Sequence, residues 1–223
     1  MYCPEIQHEE SVPQTDLENL LSSLIEYFSS GDFYQEAILA REEFDRDFKG
    51  IEEGDQDFSM YNRRFFDYFL FDYVLSEKKC TAIEWYYRAR IYSNPQQKMH
   101  LLELISSRYS LFEVVKIKKE ALVVLDILQD KKYEVKTSYY SVGIEKGDLL
   151  ETRIVKNIEQ WDFVLHILKH PAEAKKFLRK KYKNIPPNKD FLLELNHYWR
   201  AYKLFKTKMV KEIYSEKSVL QRL

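Results

Sequence analysis

The 223 residues contain only two cysteines, Cys3 and Cys80. Two cysteines cannot hold a metal by themselves and build no disulfide framework, which points to a reducing compartment. Glycine and proline are also scarce, at five and six. Few turn formers imply long helices and few tight loops. No apolar run reaches the roughly 20 residues that cross a bilayer. The opening residues lack the basic start and apolar stretch of a signal peptide. A cytoplasmic protein with no membrane partner is therefore expected. There is no glycine-rich phosphate loop and no Gly-x-Ser-x-Gly elbow. No cofactor is expected, and no set of acid, base and nucleophile stands out.

What is plentiful is aromatic surface, with 17 Tyr and 14 Phe. It peaks in Phe65-Phe66-Asp67-Tyr68-Phe69-Leu70-Phe71-Asp72-Tyr73-Val74, where only Asp67 and Asp72 are polar. A helix that is apolar nearly all round belongs inside a core. The approach through Asn62, Arg63 and Arg64 suits a helix, which the pattern places over 59–76. The rest of the chain is expected to pack around it.

Residues 1–14, with Pro4 and Pro13, read as a flexible tail. Leucines at 17, 20, 21 and 24 mark an amphipathic helix to about residue 30, and a second runs over 32–49. The acidic stretch 51–58 has Gly54 and carboxylates, but not in the register of a calcium-binding loop, so a solvated loop is expected. Thr81 with Glu84 forms a capping-box pattern that starts a short helix. Asn94-Pro95 starts another, running to about 109.

From Leu111 the period changes to two. Five short runs within 111–169 read as strands of a small antiparallel sheet or barrel. In the run 149–157, Leu150, Thr152 and Ile154 alternate with Glu151 and Arg153, the pattern of a half-buried strand. His170-Pro171 ends the β unit. Two helices are expected over 171–215. The fold class is therefore α+β: a helical region at 15–109, a small β unit at 111–169 and basic C-terminal helices at 171–223, packed as one unit.

Charge is graded along the chain. Residues 1–80 carry 7 Lys and Arg against 19 Asp and Glu, whereas residues 171–223 carry 14 against 5, within a net charge of -1. A basic end can bind nucleic acid or dock on the acidic end. The nucleic-acid candidates are Lys175, Lys176, Arg179, Lys180 and Lys183, interleaved with Phe177 and Tyr182. Asp67 and Asp72 are candidates for structural ion pairs, with Arg63 and Arg64 as available partners. His166 and His170 are four apart, but Ile167 stands where a helical zinc motif has glutamate, and the segment reads as a strand, so no metal is expected.

The order of features from Phe65 to Arg153 resembles a family of uncharacterised bacterial proteins, some of which carry a SEC-C zinc motif. The likeness rests on Phe65–Tyr73, Thr81-Ala82-Ile83-Glu84, Ser107–Val115, Leu125-Asp126-Ile127-Leu128 and Gly147–Arg153. The zinc motif needs clustered cysteines that this sequence lacks. The resemblance implies a helical front followed by a small β unit, and no activity. The function expected is that of a non-enzymatic binding or adaptor protein with a protein partner, acting through the β unit and the charged C-terminal helices. Nucleic-acid binding through 171–211 is the alternative, and an enzyme of unknown class the third.

Overall fold

The computed structural model describes residues 16–46, 58–137, 141–157, 160–183, 185, 188–204 and 210–214. The expected tail at 1–14 and nearly all of the acidic loop lie outside these residues. The first helices are α1 (Asp16–Phe28) and α2 (Tyr34–Asp45), the latter entered through a 3-10 turn at Gly31–Phe33. The aromatic stretch forms α3 (Phe58–Phe71). It ends five residues before the expected boundary, because the Tyr73 amide bonds back to the Tyr68 carbonyl at 2.9 Å and closes the last turn. Next come α4 (Ala82–Arg88), whose capping box from Thr81 to Glu84 is present, and α5 (Pro95–Ile105), capped by Asn94.

The strands are β1 (Arg108–Ile117), β2 (Ala121–Asp126), β3 (Lys131–Lys136), β4 (Leu149–Asn157) and β5 (Gln160–His170). They pair in the cyclic order β1-β2-β3-β5-β4, with β4 returning to β1, so the sheet closes on itself. The sheet is mixed where an antiparallel one was expected: β3 and β5 run parallel, joined at Val135 and Trp161. Five is an odd number. A closed ring of five strands cannot alternate direction all the way round, so one pairing has to be parallel.

Inside the ring, Phe112, Val124, Tyr133, Leu150, Ile154, Phe163 and Ile167 form one apolar cluster. A second, larger cluster lies between the outside of the ring and the helices. It joins α1, α3 and α7 (Lys189–Leu204) to Leu149, Val155 and Leu168. Strand β4 lies between the two clusters, so Glu151 and Arg153, read as the wet side of a half-buried strand, are both buried. The last helices are α6 (Lys175–Tyr182), α7 and a short α8 (Val210–Ile213). No helix among the described residues is long and apolar enough to cross a membrane.

Asp126 closes the turn after β2. Its carboxylate accepts from Ser110 Oγ at 2.9 Å and from the amides of Leu128 and Gln129, and Arg108 Nε lies 2.7 Å away. That is why the strand stops at 126 although Ile127 and Leu128 continue the apolar run. Asp126→Ala leaves these donors facing a buried gap, and a loss of about 3 kcal/mol is expected in urea unfolding, with β content retained below the transition.

Candidate functional site

Two places concentrate charge: a buried cluster between α3 and β4, and an exposed lysine-rich face on the outside of β1–β3.

The buried cluster follows from two spacings. On α3, Arg64 and Asp67 are three residues apart and share a face, about 4.5 Å apart along the axis. On β4, Glu151 and Arg153 are two apart and also share a face, at about 6.7 Å. Their order is complementary. Arg64 pairs with Glu151 and Asp67 with Arg153, the latter at 2.9 and 3.1 Å. Arg64 and Glu151 have 0 % of their side chains exposed. Their mutual desolvation is tolerable only because further partners converge on them.

Glu151 accepts from Tyr109 on one oxygen, and His170 Nε2 meets the other at 2.6 Å. Asn196, on α7, accepts from Arg64 at 2.6 Å. The Arg153 guanidinium lies 4.3 Å from the Phe71 ring and 5.3 Å from that of Tyr109, and it bonds Asp72 at 2.6 Å. Asp67 and Asp72 therefore converge on one arginine, although five residues of helix would place them on different faces. The helix ends at Phe71, and Asp72 turns back. Arg153 takes both acids, while Arg63 stays half-buried on α3.

The electrostatics differ between the two halves. Burial alone would raise the pKa of Glu151, but Arg64, His170 and Tyr109 outweigh it and hold it at about 2. Burial, with Asp67 alongside, pushes Asp72 up to about 6 against the pull of Arg153. Because Glu151 is ionised, the His170 nitrogen facing it carries a proton. The other nitrogen of His170 lies 2.8 Å from the Tyr214 hydroxyl. Burial also depresses His166 to about 4, leaving a neutral ring with no hydrogen-bond partner for either nitrogen among the described residues. It is placed there by a bulge in β5, where Leu165 takes φ +56°.

This cluster is a tie between layers. Both oxygens of Glu151 are occupied, and the neighbouring cleft between α2 and α7 is small. Lined by Glu43, Phe44, Arg46, Leu193, Asn196, His197 and Arg200, it holds about 60 Å³, room for roughly two waters. Among the described residues no group of three or more His, Cys, Asp or Glu is disposed to hold a metal ion. The sequence held a usable signal for the tie. Leu149 and Val155 share the parity of Glu151 and Arg153, so that face of β4 begins and ends apolar.

The exposed face is set by strand register. Across β1, β2 and β3, Glu113 lies beside Leu125 and Lys132, Lys116 beside Val123 and Glu134, and Ala121 beside Lys136. Leu122 and Val124 point inward and are buried, so these rows point out. Lys118 pairs with Glu134. Helix α6 crosses one end of the face. Its Lys175 bonds Glu113 at 2.8 Å, and Arg179 and Lys183 meet Asp130 in the β2–β3 turn. The five basic candidates thus divide. Lys175, Arg179 and Lys183, spaced by four, bind the helix to the β unit. Lys176 and Lys180 are exposed on another side of it. The acids that α6 meets in these pairs belong to the β unit, not to the acidic N-terminal region.

Two outcomes are expected from the buried cluster. Glu151→Gln strands Arg64 and should lose about 3–5 kcal/mol in chemical unfolding, whereas the double change Arg64→Met with Glu151→Leu should recover a substantial part. The pH dependence has two opposed parts. The depressed Glu151 contributes stability that is present above its ordinary value of 4.5 and is lost as pH falls through about 2. The raised Asp72 contributes stability that is full below 3.8 and is lost as pH rises through about 6. Asp72→Asn should therefore flatten the melting temperature between pH 4 and 7 and leave the acid limb near pH 3 in place.

No curated protein and no solved structure matches this chain. A family model does match, over residues 19–214, from within α1 to the tyrosine that bonds His170, and so spans both charged places. The chain belongs to the family of unknown function DUF7986.

Proposed function

We propose that this chain is a non-enzymatic binding protein that takes an anionic partner on the outer face of β1–β3 and the exposed side of α6. The observation that carries this reading is the register. It sets Lys116 on one side of β2 and Lys132 and Lys136 on the other, with half-buried Ala121, Val123 and Leu125 between them. Lys176 and Lys180 extend the positive surface along the helix. An acidic protein and a nucleic acid are both partners of that chemistry. The cytoplasmic location and the likeness to bacterial proteins of which some carry a SEC-C zinc motif, both expected from the sequence, are part of the proposal.

The test is retention on immobilised heparin. With a net charge of -1, retention at low salt needs a local cationic face rather than overall charge. The wild-type chain should be retained at 50 mM salt. The variant Lys116→Glu, Lys132→Glu, Lys136→Glu should pass through the column with an unchanged circular dichroism spectrum. Equal retention of both proteins would remove the face from the proposal.

A further inference from the structure

We infer that the partner of this face is a single strand of nucleic acid, lying along β2 between the two lysine columns. The inference rests on the anionic-partner reading and narrows it.

Three features favour a single strand over a duplex or an acidic protein surface. First, the charge flanks an apolar column instead of covering a plane. Neighbouring strands are about 4.8 Å apart, so the column of Lys116 on β1 and that of Lys132 and Lys136 on β3 stand roughly 10 Å apart with Val123 and Leu125 between them. A single strand has phosphates for the lysines and apolar base faces for the column. A duplex keeps its bases stacked inside and presents mainly phosphates.

Second, the carboxylates of these rows and of the β2–β3 turn are already matched. Glu134 is held by Lys118, Glu113 by Lys175, and Asp130 by Arg179 and Lys183. Among the salt bridges that the described residues form here, Lys116, Lys132, Lys136 and Lys176 are not spent on these acids, and all four are exposed. The field at the face is therefore set by them.

Third, the strand order β1-β2-β3-β5-β4 with β3 parallel to β5 is the order of the small folds that bind oligonucleotides and oligosaccharides on the face of strands 2 and 3. The shared strand order locates the site, and the charge selects the oligonucleotide over a neutral sugar.

The rows on this face contain no aromatic side chain: Tyr133 points inward, against Trp161 at 4.9 Å. Stacking contributes little here, so phosphate contacts dominate and binding should be strongly salt-dependent. Each phosphate neutralised contributes about 0.7 to the slope of log affinity against log salt for a single strand. Sequence preference should be slight, because no side chain of the rows is placed to read base edges by paired hydrogen bonds.

The experiment measures fluorescence anisotropy of a labelled 12-nucleotide single strand, with the same-length duplex and unlabelled heparin as separate arms, from 25 to 200 mM salt. The expected result is at least tenfold tighter binding of the single strand than of the duplex. Lys132→Gln with Lys136→Gln should reduce the salt slope by about 1.4. Leu125→Ser should weaken the single strand about threefold and leave heparin competition unchanged, which separates the apolar column from the charge. A duplex bound as tightly as the single strand, or binding by heparin alone, would overturn the single-strand assignment while leaving the anionic face standing. No binding in any arm at 25 mM salt, from protein with a wild-type circular dichroism spectrum, would overturn both.

Discussion

The paired charges between α3 and β4 are the constraint on which the arrangement of layers depends. Arg64 and Asp67 on the helix meet Glu151 and Arg153 on the strand in matching order. Sliding α3 along β4 by one turn would set like charges opposite one another inside a dry core. Apolar packing alone would tolerate several such positions, because Phe and Leu side chains repack readily. Buried charges do not, since an unpaired one is expensive. The tie therefore specifies the register of the helical layer on the sheet more than it adds stability.

From that tie the rest of the chain can be followed outward. Tyr109 brings β1 to Glu151, His170 brings the end of β5, and Asn196 brings α7. Tyr214 then closes on His170 and fastens the short C-terminal helix. One carboxylate thus touches or indirectly reaches segments more than a hundred residues apart. Arg153 does the same for the end of α3, where Asp72 and Phe71 gather on its two sides.

The closed sheet solves a different problem. An open five-stranded sheet has two edges with unpaired backbone groups. Closure removes them, and the odd count forces one parallel contact, which falls between β3 and β5. With the inside of the ring filled, β4 and β5 covered by helices and Tyr109 and Leu111 of β1 buried beside them, the outer surface of β2, β3 and the second half of β1 remains open to solvent. Its lysines make the surface positive. Helix α6 strengthens this by neutralising acids at one end of the face.

By itself the sequence determined the elements and their kinds. Helical spacing in the leucines of α1, the capping box at Thr81 and Glu84, the aromatic run of α3 and the alternation in the β unit are local signals. A local signal survives in a list of residues because neighbours in the chain are neighbours in an element. The α+β class and the place where helix gives way to strand follow from them. Only the tertiary structure decided which face of each element is covered, because that depends on elements distant in the chain. Glu151 and Arg153 looked like the wet side of a strand until a helix from residues 58–71 supplied their counter-charges. The five basic candidates from 175 to 183 looked like one surface until Glu113 and Asp130, from β1 and the β2–β3 turn, took three of them. Charge is long-ranged and pairs across the fold, whereas periodicity reports only on the chain beside it.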